Sequence, residues 1–178
     1  TSIYVMNTDG SNVTRLTTVG NDWYPRWSPD GSAIAFSSNR GGSWQLFVMN
    51  ADGSNVRQLT TDGMNFRPVW SPDGMRIAFE GYRSGSMGGM GDGIYVMNAD
   101  GSRQMNVSQA TAMDMGPTWS SDGRQILFGS NRASNGKMHV YTVGMDGGDV
   151  RLVSDSNTED CYPDFKLPRR PGGAATSR

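Results

Sequence analysis

One seven-residue phrase, Pro-x-Trp-Ser-(Pro/Ser)-Asp-Gly, occurs three times in the chain, at residues 25–31, 68–74 and 117–123. The tryptophans of the three copies are 43 and 49 residues apart. A second aromatic anchor repeats after 43, 48 and 46 residues, at Tyr4, Phe47, Tyr95 and Tyr141. A repeat of this length is typical of a β-propeller blade with four short strands. The chain is therefore expected to be all-β.

The first complete repeat divides into four strands when it is parsed by period-two alternation and by turn chemistry. The predicted strands a to d cover residues 24–28, 33–37, 45–50 and 56–60. An Asp-Gly pair follows strand a and another follows strand c, and these residues accept the positive φ of tight hairpin turns. The pattern predicts three full four-stranded blades, at about 22–61, 65–110 and 114–155.

The two ends of the chain supply parts of a fourth blade. Residues 1–17 match strands c and d, and residues 160–166 match strand a, with Phe165 in place of tryptophan. A propeller has typically four to eight blades. The propeller at residues 1–165 is therefore expected either to close as a four-bladed ring or to stay open and be completed by a partner. Residues 167–178 form a Pro/Gly/Arg-rich extended tail in this interpretation.

The repeated phrase carries a family resemblance when it is taken with Ile-Ala-Phe-x-Ser, Asn-Arg and Tyr-Val-Met-Asn-Ala-Asp-Gly-Ser. Together they resemble the WD-repeat-like blades of TolB-type propellers, over about residues 1–165. Such blades occur in the periplasmic Tol translocation protein, in prolyl-oligopeptidase-like peptidases and in secreted binding proteins. The resemblance implies a β-propeller and a periplasmic or extracellular location, but no particular activity. Family members usually have six or more blades, which is more than this chain offers.

Charge and hydropathy limit the classes of partner. The net charge is −1, but the last 13 residues hold four basic and no acidic side chains, so the remainder carries −5. The basic tail lacks interleaved aromatic residues, which argues against nucleic acid. No apolar run reaches the length of about 20 residues that spans a membrane.

The chain offers little for catalysis. Residues 81–85 only approach the Gly-x-Ser-x-Gly nucleophile motif. The single histidine, His139, begins a predicted strand c, and the single cysteine, Cys161, has no second histidine near it. The glycine-rich run 85–93 lacks the lysine of a phosphate-binding loop. The sequence therefore predicts a protein that is not an enzyme and holds no cofactor.

One oxygen-bearing side chain precedes each strand-a proline by three residues. These residues are Asp22, Asn65, Asp114 and Asp160. Oxygen ligands of this kind suit Ca²⁺, which makes the four residues weak calcium candidates. The alternative is a hydrogen bond repeated once per blade. The arginines that follow each strand b, at positions 40, 83 and 132, are expected to pair inside their own blades.

The loops between strands b and c and between strands d and a emerge on the same face of a propeller. The partner-binding candidates on this face are Trp23, Tyr24, Trp44, Phe66, Arg67, Met87, Met90, Met115 and Tyr162. Aromatic, methionine and arginine side chains are enriched at protein interfaces. The basic tail, with Lys166, Arg169 and Arg170, is interpreted either as a disordered end or as an arm that docks on an acidic partner.

These patterns favour a non-catalytic, protein-binding propeller that serves as an accessory subunit of a bacterial cell-envelope assembly, on the periplasmic side. The partner is expected to be another protein of that assembly or a second copy of the chain. Two alternatives stay open. The chain is a propeller fragment of a larger hydrolase or peptidase, or it is a secreted propeller that binds Ca²⁺ or a small ligand.

Overall fold

The computed structural model describes residues 1–83, 92–109, 112–133, 137–154 and Pro163. In this part of the chain, 14 strands form one two-stranded and three four-stranded sheets, all antiparallel. The prediction of an all-β propeller with three full four-stranded blades is confirmed. The described segments include no helix of the length and apolar character needed to cross a membrane.

Each blade is a meander in which the order along the chain is also the order in the sheet. The N-terminal sheet pairs β1 (Tyr4–Val5) with β2 (Thr14–Arg15). Blade 1 consists of β3 (Asp22–Trp27), β4 (Ala33–Ser38), β5 (Gln45–Asn50) and β6 (Arg57–Gln58). Blade 2 consists of β7 (Met64–Trp70), β8 (Arg76–Tyr82), β9 (Gly93–Asn98) and β10 (Met105–Asn106). Blade 3 consists of β11 (Asp114–Trp119), β12 (Gln125–Ser130), β13 (His139–Gly144) and β14 (Arg151–Leu152).

The predicted strand bounds of blade 1 agree best in the middle of the sheet. Strand c has the predicted bounds, and strand b is one residue longer. Strand a begins at Asp22, two residues earlier than predicted, because a bulge lets it pair with β4 on both sides of Pro25. Strand d is shorter than predicted, since it has one neighbour and both of its residues are exposed.

The Pro-Asp-Gly turns between strands a and b are held by the aspartate side chain. Asp30 Oδ1 accepts hydrogen bonds from Ser28 Oγ at 2.6 Å and from the backbone N of Ser32 at 3.1 Å. Gly31 has a φ of 73°, which suits a residue without Cβ. Asp73 and Asp122 make the equivalent serine contacts at 2.6 Å in blades 2 and 3.

The core lies between neighbouring sheets as well as within them. Strands b and c are the most buried, and a phenylalanine at the centre of each strand b, at positions 36, 79 and 128, is fully buried. The tryptophan of the repeated phrase joins one blade to the blade before it. Trp70 Nε1 donates to the carbonyl of Arg26 at 3.1 Å, and Trp119 Nε1 donates to the carbonyl of Val69 at 3.0 Å.

The first strand of each blade lies innermost, because β7 packs against both β3 and β11. The three inner strands therefore face one another across a common space. The two predicted forms of ring closure both depend on residues 160–166, of which the structure describes only Pro163. That prediction lies outside the described residues.

Candidate binding site on the inner strands

Each inner strand carries a bulge at the same place in the repeat. The pairing register shifts between Trp23 and Arg26 in β3, and at the matching places in β7 and β11. The bulge residue that precedes the proline has a positive φ in all three blades, 55° at Tyr24, 50° at Arg67 and 63° at Gly116. This conformation costs energy for residues with a Cβ, and such strain concentrates at functional sites.

The bulge of blade 2 holds an ion pair whose carboxylate is buried. Arg67 Nη1 lies 3.0 Å from Glu80 Oε1, and the Glu80 side chain is only 2 % exposed. Tyr82 Oη donates to Glu80 Oε2 at 3.2 Å, and the backbone N of Gly116 donates to Glu80 Oε1 at 2.7 Å. Both carboxylate oxygens therefore have partners, and the Gly116 contact connects blade 2 to blade 3.

Burial raises the pKa of Tyr82 well above its ordinary value, and the negative charge of Glu80 raises it further. The phenol therefore stays protonated at neutral pH and can donate its hydrogen bond to Glu80. The other end of the cluster reaches blade 1. The Arg67 guanidinium lies 4.7 Å from the centroid of the Tyr24 ring, and its Nη2 donates to Tyr24 Oη at 3.4 Å. A cation over an aromatic face is attracted by the ring quadrupole, so one arginine connects blades 1 and 2.

The inner strands enclose a cavity of about 610 Å³. Tyr24 and Arg26 of blade 1, Arg67 and Val69 of blade 2, and residues 116–118 of blade 3 line it, with Pro163. A volume of this size falls in the range of ligand pockets, roughly 300 to 1,000 Å³.

A row of aromatic rings contacts the ion-pair cluster through Tyr82. Trp23 and Trp44 have centroids 4.4 Å apart, Trp44 and Phe66 are 5.4 Å apart, and Phe66 and Tyr82 are 5.9 Å apart. We call these four residues the aromatic row. Trp23 is 41 % exposed and Tyr82 is buried, so the row runs from solvent into the ion-pair cluster. Offset and edge contacts at these distances stabilise aromatic pairs.

The structure thus brings together five of the predicted partner-binding residues. They are Trp23, Tyr24, Trp44, Phe66 and Arg67. Met115 is half-buried in β11, at the position that corresponds to Trp23 and Phe66. The other predicted contacts lie outside the described residues, namely Met87, Met90, Tyr162, Lys166, Arg169 and Arg170.

The described calcium candidates hydrogen-bond to the arginine of their own blade. Arg40 Nη2 lies 3.0 Å from Asp22 Oδ1, and Arg132 Nη2 lies 3.0 Å from Asp114 Oδ2. Burial raises the pKa of Asp114, and hydrogen bonds and the charge of Arg132 oppose that shift.

In blade 2, Arg83 Nη1 donates to Asn65 Oδ1 at 2.9 Å. Asn65 Nδ2 in turn donates to Gln45 Oε1 of blade 1 at 2.8 Å. The three arginines therefore pair mainly inside their own blades, as the sequence predicts. Across the described ranges, no three acidic, histidine or cysteine side chains are grouped so that they could hold a metal ion. Asp160 lies outside those ranges.

Sequence reasoning missed Glu80 and Tyr82. The repeat places Ser37 and Gly129 at the position of Glu80, and Asn39 and Asn131 at the position of Tyr82. Departure from the repeat at two nearby positions of one blade was the signal that could have identified them. His139 is buried at the first residue of β13, the position expected from the sequence.

Known proteins share this fold. A putative TolB from Agrobacterium tumefaciens superposes with a TM-score of 0.73 at 26 % identity, over 85 % of this chain and 55 % of its own length. TolB from Acinetobacter baumannii gives 0.70 at 28 % identity, over 86 % of this chain and 38 % of its own. A puromycin-hydrolyzing peptidase from Mycobacterium tuberculosis gives 0.69 at 17 % identity, over 87 % of this chain and 27 % of its own, which shows a shared fold alone.

The chain thus spans about half, or less, of the length of these proteins. No curated protein matches it. The TolB beta propeller domain matches residues 1–80 and again residues 61–168. Since these matches cover most of the sequence, the chain belongs to the TolB beta-propeller domain family.

Proposed function

We propose that this chain is a non-catalytic, protein-binding propeller module and an accessory subunit of a larger bacterial cell-envelope assembly, on the periplasmic side. The observation that carries the proposal is the aromatic row, which leads from exposed Trp23 to the Arg67–Glu80 pair at the inner strands. Tryptophan, tyrosine and arginine are the residues most enriched among those that dominate binding energy.

The rigidity of this surface supports a binding role. Arg67 is fixed by the ion pair with Glu80 and by its stacking on Tyr24. The stacked rings of the aromatic row likewise hold one another in place. A surface that is ordered before it meets a partner loses less conformational entropy on binding. In this proposal the partner also contacts Met87, Met90, Met115 and Tyr162. The basic tail docks on an acidic region of the same partner.

The periplasmic location rests on family membership and on the similarity to two TolB proteins. The chain spans only part of their length, so its assembly is proposed from the family and not transferred from either protein.

Photocrosslinking in the native host tests the proposal. A benzoylphenylalanine replaces Trp23 in one variant and Val13 in the other, since Val13 is 61 % exposed beside the c–d turn of the N-terminal sheet, at the opposite end of the strands. We expect a discrete adduct with an envelope protein from the Trp23 position and none from Val13. Adding Trp44→Ala should reduce the adduct by breaking the aromatic row. Equal adducts from both positions, or none from either, would overturn the proposal.

The main alternative is the propeller part of a larger hydrolase. The similarity to the puromycin-hydrolyzing peptidase favours it only as far as the fold, at 17 % identity. A complete reading frame that encodes a hydrolase domain, with peptidase activity in the purified product, would establish this alternative. Calorimetric titration with Ca²⁺ tests the calcium-binding propeller, because a saturable heat lost in Asp22→Asn and Asp114→Asn would support it.

A further inference from the structure

A second cavity, of about 570 Å³, lies between blades 2 and 3 at the end of the sheets where the a–b and c–d turns emerge. Its apolar lining residues are Val96, Met97, Met105 and Met145. Its rim carries three arginines, Arg76, Arg103 and Arg124, and one carboxylate, Asp146. We call it the arginine pocket. It belongs to the opposite face of the propeller from the aromatic row.

The three arginines lack carboxylate partners among the described residues, since none of the ion pairs there involves them. Arg76 Nη1 instead donates to the thioether sulfur of Met145 at 3.0 Å, and a thioether is a weak acceptor. Asp146 Oδ1 accepts a hydrogen bond from the backbone N of Gly148 at 3.0 Å. The pocket therefore has a net positive rim. One of its guanidinium groups, that of Arg76, donates a hydrogen bond to a weakly accepting sulfur.

Two further carboxylates lie close to the rim and interact electrostatically with its arginines without contacting them as ion pairs. Asp73 is near Arg76, and Asp122 is near Arg124. Each is used inside its own a–b turn, where it accepts a hydrogen bond from a serine hydroxyl at 2.6 Å and another from a backbone N–H. They offset part of the positive charge without forming ion pairs with it.

The junction between blades 1 and 2 differs from the junction between blades 2 and 3 in its side chains. There Arg57 reaches across the junction, and its guanidinium donates to the carbonyls of Ala99 and Asp100 at 3.1 and 3.2 Å. The residue that corresponds to Arg57 in blade 2 is Met105. The connecting side chain is therefore missing at the second junction.

The three arginines are themselves departures from the repeat. The first junction has Ala33, Asn55 and Met75 where the second has Arg76, Arg103 and Arg124. Arg103 adopts a φ of 55°, a conformation that asparagine or aspartate adopts at this position in the other c–d turns. The second junction therefore has Met105 in place of a bridging arginine and three arginines in place of neutral residues, which gives its cavity both apolar and positively charged lining residues.

We infer that the arginine pocket binds an acidic peptide segment that carries an apolar side chain. Carboxylates match the guanidinium fork in geometry and charge. Methionine adapts to apolar side chains of varied shape. The chain body itself carries a net charge of −5, so an acidic segment would find here a local region of opposite sign to its surroundings.

A pooled dodecapeptide library tests the inference, with aspartate, glutamate, leucine, phenylalanine or glycine at each position. The full chain is compared with a triple variant, Arg76→Ala, Arg103→Asn and Arg124→Ser, which takes the residues of the other blades and should fold normally. We expect the chain to retain acidic, leucine- or phenylalanine-containing peptides at least about tenfold better than the triple variant. Fluorescence anisotropy of the best peptide should show weaker binding as salt is raised.

Trp44→Ala lies on the other face and should retain the peptides, so this test is independent of the proposed function. No enrichment, or equal enrichment by the triple variant, would overturn the inference. So would competition by inorganic phosphate as strong as that by free peptide, because the pocket would then select an anion alone. Binding of phosphatidylglycerol vesicles in place of acidic peptides would overturn it as well.

Discussion

The guanidinium of Arg67 lies 3.0 Å from the carboxylate of Glu80, and the two residues join adjacent strands of blade 2 at the inner edge of the propeller. Glu80 also accepts a hydrogen bond from Gly116 of blade 3, while Arg67 stacks on Tyr24 of blade 1. One ion pair thus connects three blades. The same pair forms the inner end of the proposed binding surface.

Removal of the Glu80 charge should destabilise the fold. Glu80→Gln removes the negative charge that Glu80 places 3.0 Å from the Arg67 guanidinium. Loss of one partner of a buried pair typically costs 3–5 kcal/mol, but the Arg67 side chain is 28 % exposed. Solvent screening lowers the expected loss in the free energy of unfolding to about 2 kcal/mol. Urea denaturation with circular dichroism measures it.

The control for that experiment takes the residues of blade 1 at both positions. Arg67→Tyr with Glu80→Ser removes both charges together, so no buried charge is left unpaired. The double variant should lose less stability than Arg67→Tyr and Glu80→Ser lose in sum when each is measured alone. Additive losses would show that the two residues contribute independently.

Acid should weaken the fold through the a–b turns. The Ser28 hydroxyl, followed by the backbone N–H of Ser32, lowers the pKa of Asp30 from 3.8 to about 2. The pKa of Asp30 is lower in the folded chain than in the unfolded chain. The ionised Asp30 carboxylate therefore stabilises the fold above about pH 4, and this contribution is lost as the pH falls towards 2. The pKa values of Asp73 and Asp122 are lowered for the same reason. The midpoint of thermal unfolding between pH 7 and pH 2 measures the loss.

Ser28→Ala provides the matched variant for the acid experiment. It removes the largest cause of the Asp30 shift, so the variant should be less stable at neutral pH and lose less stability on acidification. Asp114 contributes in the opposite direction, since burial raises its pKa and protonation on acidification favours the folded form. A pH profile for Ser28→Ala parallel to that of the unmodified chain would contradict the assignment to Asp30.

The c–d turn of blade 2 should tolerate no side chain at Gly101. Its φ is +92°, and a Cβ there would lie 2.7 Å from the carbonyl oxygen of Leu59 in blade 1. Gly31 has a φ of +73°, and a Cβ at Gly31 would have no atom within 4 Å. Gly31→Ala should cost about 1 kcal/mol for the backbone conformation alone. Gly101→Ala should cost at least about 1 kcal/mol more because the blades must separate. Equal losses in urea denaturation would contradict a steric cause.

The local parts of the fold were predictable because their signals are local. An Asp-Gly pair favours a tight turn, and a short apolar run such as Leu46–Met49 before that turn favours a buried strand, which agrees with strand c at Gln45–Asn50. The edge of the sheet was less predictable. β6 ends at Gln58 because no further strand stabilises the residues beyond it, which no feature of its own sequence reveals.

The candidate site was predictable only in part for the same reason. Composition identified Trp23, Trp44 and Phe66 as surface aromatics, but the burial of Glu80 depends on Gly116 and Arg67, which lie on other strands. A glutamate in the middle of a strand would ordinarily be assigned to solvent. Comparison of the repeats position by position would have identified Glu80 as a candidate site residue. A residue that departs from the repeat is one that the blade fold itself does not require.

Arg103 is a departure from the repeat, so the fold should not require an arginine at this position. The corresponding residues of the other c–d turns are Asn12, Asn55 and Asp149, and all four positions have a φ between 54° and 56°. Asparagine tolerates this conformation better than arginine, for which it costs roughly 1 kcal/mol. Arg103→Asn should therefore raise the free energy of unfolding by about 0.5–1 kcal/mol, and Asn55→Arg should lower it by a similar amount. Urea denaturation of both variants measures the two changes. If Arg103→Asn lowered stability instead, the arginine would serve the fold itself, and its presence in the pocket would need no ligand to account for it.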